Sequence, residues 1–222
     1  MNDFSVMERN KDRERRRTLL IIEGSQGEYE LFSLLLDGFP KITIKESDIW
    51  VYGTDIYDLH KDLEDYYGKD WATNKEIDVD LPFLLSKKMK MKKKVRKSEF
   101  ANIILVFDYE RQDPYFSEEA ILNMQRVFND PTDKGKLYIN YPMVESYKHF
   151  KCLPDPGYYD RTMDIDYTKG NVYKNKVKKE SAIQKYFDFP KKMDKALKDR
   201  YEVEDILERS NIWNRYLQSF RI

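Results

Sequence analysis

The segment NIILVFDYERQDP, residues 102–114, runs five apolar residues, Ile103 to Phe107, straight into Asp108, Glu110 and Asp113. An apolar run of this length without helical period reads as a strand buried on both faces. Such strands belong to parallel sheets with helices on either side, where ligands gather at the carboxyl ends of the strands. Three acids in six positions at one strand end have two explanations. Either the strand meets water there, which carboxylates favour, or its tip holds something positively charged.

The same grammar repeats on both sides of this segment. TLLIIE (18–23) is a short buried strand, broken by GSQG and followed by EYELFSLLLDGF, where Tyr29, Phe32, Leu35 and Leu36 recur at helical spacing and Gly38 stands at a C-cap position. DIWVYG (48–53) is a second strand, and TDIYDLHKDLEDYYG a second helix with Thr54 or Asp55 as N-cap. After the strand at 102–108, SEEAILNMQRVF (117–128) opens with Ser117 as cap and two Glu at the positive end of a helix. KLYINY (136–141) is a fourth strand, and Pro142 suits the first turn of a helix through MVESYKHF. Four alternations predict an α/β fold: a mainly parallel four-stranded sheet flanked by helices over residues 18–150. Residues 1–17 read as a flexible charged arm, 68–101 as a basic insertion, and 151–222 as a mostly helical C-terminal extension.

Composition narrows the function classes. The chain has 222 residues, 41% of them apolar, with 17 Tyr and 12 Phe, enough for one packed domain with a small appendage. Its 40 basic residues balance 40 acidic ones, so net charge points to no partner; only its distribution can. A single cysteine, Cys152, excludes a disulfide framework and a cysteine-based metal cluster, and fits a cytoplasmic setting. Two separated histidines, His60 and His149, argue against a histidine zinc site. No apolar run approaches the roughly 18–20 residues that cross a bilayer, and no partner membrane is expected. The nucleotide-binding pattern G-x-x-x-x-G-K-[ST] is absent, which speaks against ATP hydrolysis by this chain. DYERQ does not meet the aspartyl-phosphate pattern D-x-D-x-[TV].

The acids themselves form a pattern. Glu23 ends the first strand and Glu28 lies in the turn of helix after it; Asp108 and Glu110 stand two apart at the end of the third. In an extended segment, residues i and i+2 point the same way. Two such carboxylates, joined by Glu23 from a neighbouring strand end, suit a hard cation that prefers oxygen ligands. Each acid alone is explained by solvation; the combination favours a cation.

LLIIEGSQGE followed by ILVFDYE resembles the Toprim domain shared by topoisomerases, bacterial primases and nucleases of the overcoming-lysogenization-defect type. The closer resemblance is to small Toprim-like proteins of phage defence and abortive infection, which carry an E-G-x-x-x-E opening, an acidic run of D-x-D-x-x-D kind, and a later N-P-x-x-E or Y-P-x-x-E element. Here these are EGSQGE (Glu23, Gly24, Glu28), DYERQD (Asp108, Glu110, Asp113) and NYPMVES (Asn140, Pro142, Glu145). The chain departs from the family in carrying Glu110 as the second acid of the pair. The resemblance implies a metal-dependent nuclease of antiviral defence using Mg²⁺ or Mn²⁺. Glu23, Asp108 and Glu110 would be catalytic and metal-binding, Asp113 and Glu28 further ligands, and Glu145 and Lys148 supporting groups. It also implies a nucleic-acid substrate and an ATPase partner protein, with a non-catalytic binding subunit as the alternative. Self-association stays open.

The segment KKMKMKKKVRK (87–97) places Lys87, Lys88, Lys90, Lys92, Lys93, Lys94, Arg96 and Lys97 together without an acid. It can neutralise several phosphates, or form a solvated loop, or an amphipathic helix presenting Met89, Met91 and Val95. Arg13, Arg15, Arg16 and Arg17 form a weaker basic group with acids interleaved. Tyr-rich sequence at 155–176 reads as loop packing over the core, with base stacking as the rival use.

Overall fold

The computed structural model describes residues 17–24, 27–38, 44–152, 154–158 and 160–182. The arm at 1–16 and the helical segments expected beyond residue 182 lie outside the described residues. The chain divides into two compact units, with a boundary between Met143 and Val144.

The first unit is α/β. Its strands are β1 (Thr18–Ile22), β2 (Ile49–Val51), β3 (Asn102–Asp108), β4 (Asn129–Asp130) and β5 (Gly135–Asn140). Its helices are α1 (Gly27–Gly38), α2 (Ile56–Tyr67), α3 (Leu81–Lys88) and α4 (Glu118–Val127). The sheet runs in the order β2-β1-β3-β5-β4, with the first four parallel and β4 antiparallel to β5. The sheet thus has five strands rather than the expected four. The extra strand is two exposed polar residues, Asn129 and Asp130, which carry none of the apolar alternation that marks a strand in sequence.

Each central strand feeds two cores because successive side chains alternate faces. Leu19, Ile21, Ile103, Leu105 and Phe107 face one core with α2 and α4; Leu20, Ile22 and Val106 face the other, joined by Tyr29 and Phe32 of α1. Helix α2 buries Ile56, Leu59 and Leu63 at helical spacing, each contributing about 1.5–3 kcal/mol. Asp55 starts it, accepting from the N–H groups of Tyr57 and Asp58 at 2.8 and 2.9 Å.

The region 68–101 is part of this core rather than an appendage to it. Trp71, Val79, Leu81, Leu84, Leu85 and Phe100 are all buried against the sheet. Asp80 caps α3 through the Phe83 N–H, with Pro82 in the first turn, a start signal legible in DLPFLL. The helix stops at Lys88 and residues 89–96 are not helical, with Lys97 opening a 3₁₀ turn; Met91 and Val95 pack on the core from irregular backbone.

Arg17, read as the end of a free arm, is instead fixed. Its guanidinium pairs with the buried carboxylate of Asp48, through Nε at 3.0 Å and through Nη2, and lies over the Phe100 ring.

In the second unit the helix expected through MVESYKHF is a 3₁₀ turn, Val144–Lys148. An isolated segment this short does not offset the cost of nucleating an α-helix. Its side chains anchor it instead, with Val144, Tyr147, His149 and Phe150 buried. Helix α5 (Gly170–Glu180) belongs to the same unit, where His149 Nε2 meets Glu180 Oε2 at 3.0 Å. Among the described residues no helix is long and apolar enough to cross a membrane.

Candidate metal centre

The strand order turns back on either side of β1: β2 lies on one side of it and β3 on the other. At such a switch point the loops leaving the strands part and open a crevice at their carboxyl ends. Glu23 follows β1 and Asp108 ends β3, and parallel pairing of Ile22 with Val106 brings both to the same edge. Ligand oxygens of Glu23, Asp108 and Glu110 all lie within 4.8 Å of one another. These three carboxylates are close enough to hold a metal ion.

Each acid is positioned by backbone. Glu23 Oε2 accepts from the Asp108 N–H at 2.9 Å. Asp108 is 5% exposed, and its Oδ1 accepts from Asn140 Nδ2 at 3.0 Å, across the β3–β5 pairing that sets the two residues side by side. Glu110 has φ of +37°, a left-handed conformation that costs a non-glycine residue about 1–2 kcal/mol. The turn after it is closed by the Asp113 N–H donating to the Glu110 carbonyl at 2.9 Å.

Glu28 sits 5% exposed in the first turn of α1. A Cβ on Gly24 would stand 2.8 Å from Glu28 Oε2, so the glycine in EG leaves room for that carboxylate to fold back. Burial, above all, raises the Glu23 carboxyl; the Asp108 charge adds to it, with smaller contributions from Glu110 and Glu28, and the result is about 9 despite the Asp108 N–H bond. Crowded carboxylates without a cation take up protons, and an all-carboxylate donor set matches a hard divalent ion.

A second group shares one member. Oxygens of Asp55, Glu110 and Asp113 also lie within 4.8 Å of one another. Asp55 comes from the loop after β2, so three parallel strand ends supply acids to this edge. By sequence pattern alone Asp55 is a helix cap; its signal as a candidate ligand is an acid four residues past a strand. Asp113 is further held by accepting from the Tyr115 N–H at 2.7 Å. Tyr57, whose hydroxyl donates to the Tyr109 carbonyl at 2.6 Å, is kept protonated by burial and by Tyr109, Asp113, Asp55 and Glu110.

The other expected residues are placed as follows. Glu145 and Lys148 belong to the second unit, where Lys174 Nζ lies 3.5 Å from Glu145 Oε1. In the basic run, Lys88 pairs with Asp62 and Tyr52, Lys93 with Glu99, Arg96 with Asp80, and Lys97 with Asp78. Lys94 donates to the Met91 carbonyl at 2.9 Å and Lys87 lies over the Tyr66 ring. Lys90 and Lys92 are exposed. Four of the eight basic residues thus meet acids of the same domain. Arg111, which the sequence reading passed over, is exposed in the acidic loop itself.

No family model, curated protein or solved structure matches this chain.

Proposed function

We propose that the protein is a Mg²⁺- or Mn²⁺-dependent nuclease of the Toprim type, hydrolysing phosphodiester bonds of nucleic acid in antiviral defence. One observation carries the reading: Glu23, Asp108 and Glu110, from two parallel strand ends, converge within 4.8 Å. Order and placement of EGSQGE and DYERQD at strand ends support the Toprim assignment. A lone exposed cysteine, Cys152, supports a cytoplasmic setting.

Asp108 and Glu110 would hold the cation, with Glu23 as third ligand or as the group that takes or gives the reaction's proton. A divalent cation supplies polarisation of a phosphoryl oxygen and of an attacking water. Glu23 carries a proton at neutral pH in the bare centre, which suits a group exchanging one with substrate. Asn140 orients Asp108, and the left-handed backbone at Glu110 aims that side chain back toward the strand end. Arg111 offers the loop a cation for substrate phosphate.

The test is incubation of the full chain with plasmid, single-stranded DNA and tRNA in Mg²⁺ or Mn²⁺, beside Glu23→Ala. Cleavage lost in the variant supports the nuclease. Binding without cleavage, equal in both proteins, replaces it with a non-catalytic subunit that binds nucleic acid or a partner ATPase.

A further inference from the structure

The loops that carry the acids also carry exposed aromatic rings. Tyr115 is 71% exposed and Tyr141 60%. Single exposed aromatics are ordinary; their positions here are not scattered. Tyr109 stands between Asp108 and Glu110, Tyr115 follows Asp113 by two residues, and Tyr141 follows Asn140, the residue that orients Asp108.

The Tyr141 ring rests on a packed support. Tyr141 leans on Tyr109 with centroids 5.3 Å apart, and Tyr109 meets Phe116 edge-on at 5.6 Å. Phe116 in turn meets Tyr57 at 5.8 Å, and the Tyr57 hydroxyl is bonded to the Tyr109 carbonyl. Tyr115 is tied at its backbone to the Asp113 carboxylate. A ring whose orientation is fixed before binding loses little entropy when a flat ligand stacks on it.

The charge pattern identifies the flat ligand. A duplex hides its base faces and is bound mainly through cations on its phosphates. Between residues 108 and 116 this loop offers three carboxylates and one cation, Arg111, which is poor ground for a duplex. An unpaired strand exposes base faces, and stacking on aromatic side chains is worth roughly 5- to 150-fold in affinity per base.

We propose that Tyr115 and Tyr141, the latter backed by Tyr109, form a stacking platform beside the carboxylate centre that selects nucleic acid with unpaired bases. The inference deepens the nuclease reading and rests on it for what happens to the strand after capture. Stacking is indifferent to the sugar, so DNA and RNA single strands share this chemistry.

The experiment measures binding, not cleavage, of the full chain without added divalent ion. The probes are fluorescent 20-mers of dT and of rU, and a mixed-sequence duplex. The variants are Tyr115→Ala with Tyr141→Leu, and Tyr115→Phe with Tyr141→Phe. Leucine keeps an apolar cover on the Tyr109 ring while removing the stacking face. The expected result is at least about 10-fold weaker binding of both single strands by the Ala/Leu protein, retention within about 2-fold by the Phe/Phe protein, and little change with the duplex. Wild-type affinity in the Ala/Leu protein, equal loss for duplex and single strands, or no single-strand binding by the parent protein would each overturn the platform. Loss for one single strand only, where the parent protein binds both, would tie the effect to the sugar and also overturn the platform. The nuclease reading fails separately: tyrosine-dependent binding with no cleavage in Mg²⁺ or Mn²⁺ leaves the platform standing and removes the enzyme.

Discussion

The main-chain N–H of Asp108 donates to Glu23 Oε2 at 2.9 Å, tying together two acids 85 residues apart in sequence. The bond fixes where the Glu23 carboxylate sits, and so holds it in the field of Asp108. Burial and that field outweigh the bond, and the Glu23 carboxyl rises to about 9. Between the ordinary carboxylate value of 4.5 and about 9, the folded chain therefore holds a proton that the unfolded chain has released. Stability from this group is full below the lower value and is lost as pH climbs through the window.

Glu23→Gln mimics the protonated form and removes this dependence. Thermal unfolding in chelator should give similar midpoints for the two proteins near about pH 5, with the variant pulling ahead as pH rises toward about 9. Excess Mn²⁺ should raise the wild-type midpoint at pH 8 and leave the variant far less affected, since the cation replaces the proton. Parallel curves across the whole range would remove the proton from Glu23.

Glu110 carries both a candidate ligand carboxylate and a left-handed backbone, with φ of +37°. Glu110→Ala and Glu110→Gly both delete the carboxylate, and both should abolish the Mn²⁺-dependent rise in midpoint. They should differ in stability. Glycine accepts positive φ without a Cβ clash, so the Gly variant should exceed the Ala variant by about 1 kcal/mol in urea unfolding. Equal stabilities would mean that the turn relaxes to a different backbone.

What the sequence made legible follows from which forces are local. The runs at 18–22 and 102–108 announce buried parallel strands by apolar continuity, and with them the edge where Glu23 and Asp108 meet. β4 stayed hidden because its two residues are polar and owe their pairing to the partner strand, Gly135–Asn140. The tertiary burial of Trp71 and Val79 was masked by the charged residues around them. Asp55 was readable as a helix cap, which it is, but its approach to Glu110 and Asp113 depends on how far the β2 and β3 loops lean together. The acids that meet the basic run, Asp62, Asp78, Asp80 and Glu99, were not legible as its partners because folding rather than spacing brings them to it.

Gly135 tests the packing that fixes β5 against β3. Its φ is +131°, and a Cβ there would lie 2.8 Å from Leu105 Cδ1 and 3.2 Å from Ile103 Cγ2. Leu105 is wholly buried, so it has nowhere to retreat. Gly135→Ala should cost about 1–3 kcal/mol in urea unfolding. A loss near zero would show that the strand start can shift without disturbing the core.

Asn140 gives the sharpest separation of positioning from ligation. Its side-chain amide donates to Asp108 Oδ1 at 3.0 Å and takes no place among the converging carboxylates. Asn140→Ala leaves all three acids present but frees Asp108 to rotate. Groups that orient a metal ligand typically contribute 10- to 100-fold in affinity, so calorimetric titration with Mn²⁺ should show a weakening of about 10-fold or more. The stability cost should stay near about 1 kcal/mol, the usual worth of one hydrogen bond. Asn140→Asp puts a fourth carboxyl at the centre, against Asp108, in place of a donor. Without metal it should be less stable than the alanine variant at pH 8, and it should recover as pH falls and the pair takes up a proton. Wild-type Mn²⁺ affinity in Asn140→Ala would mean that Asp108 is oriented without this bond, or that it is not a ligand.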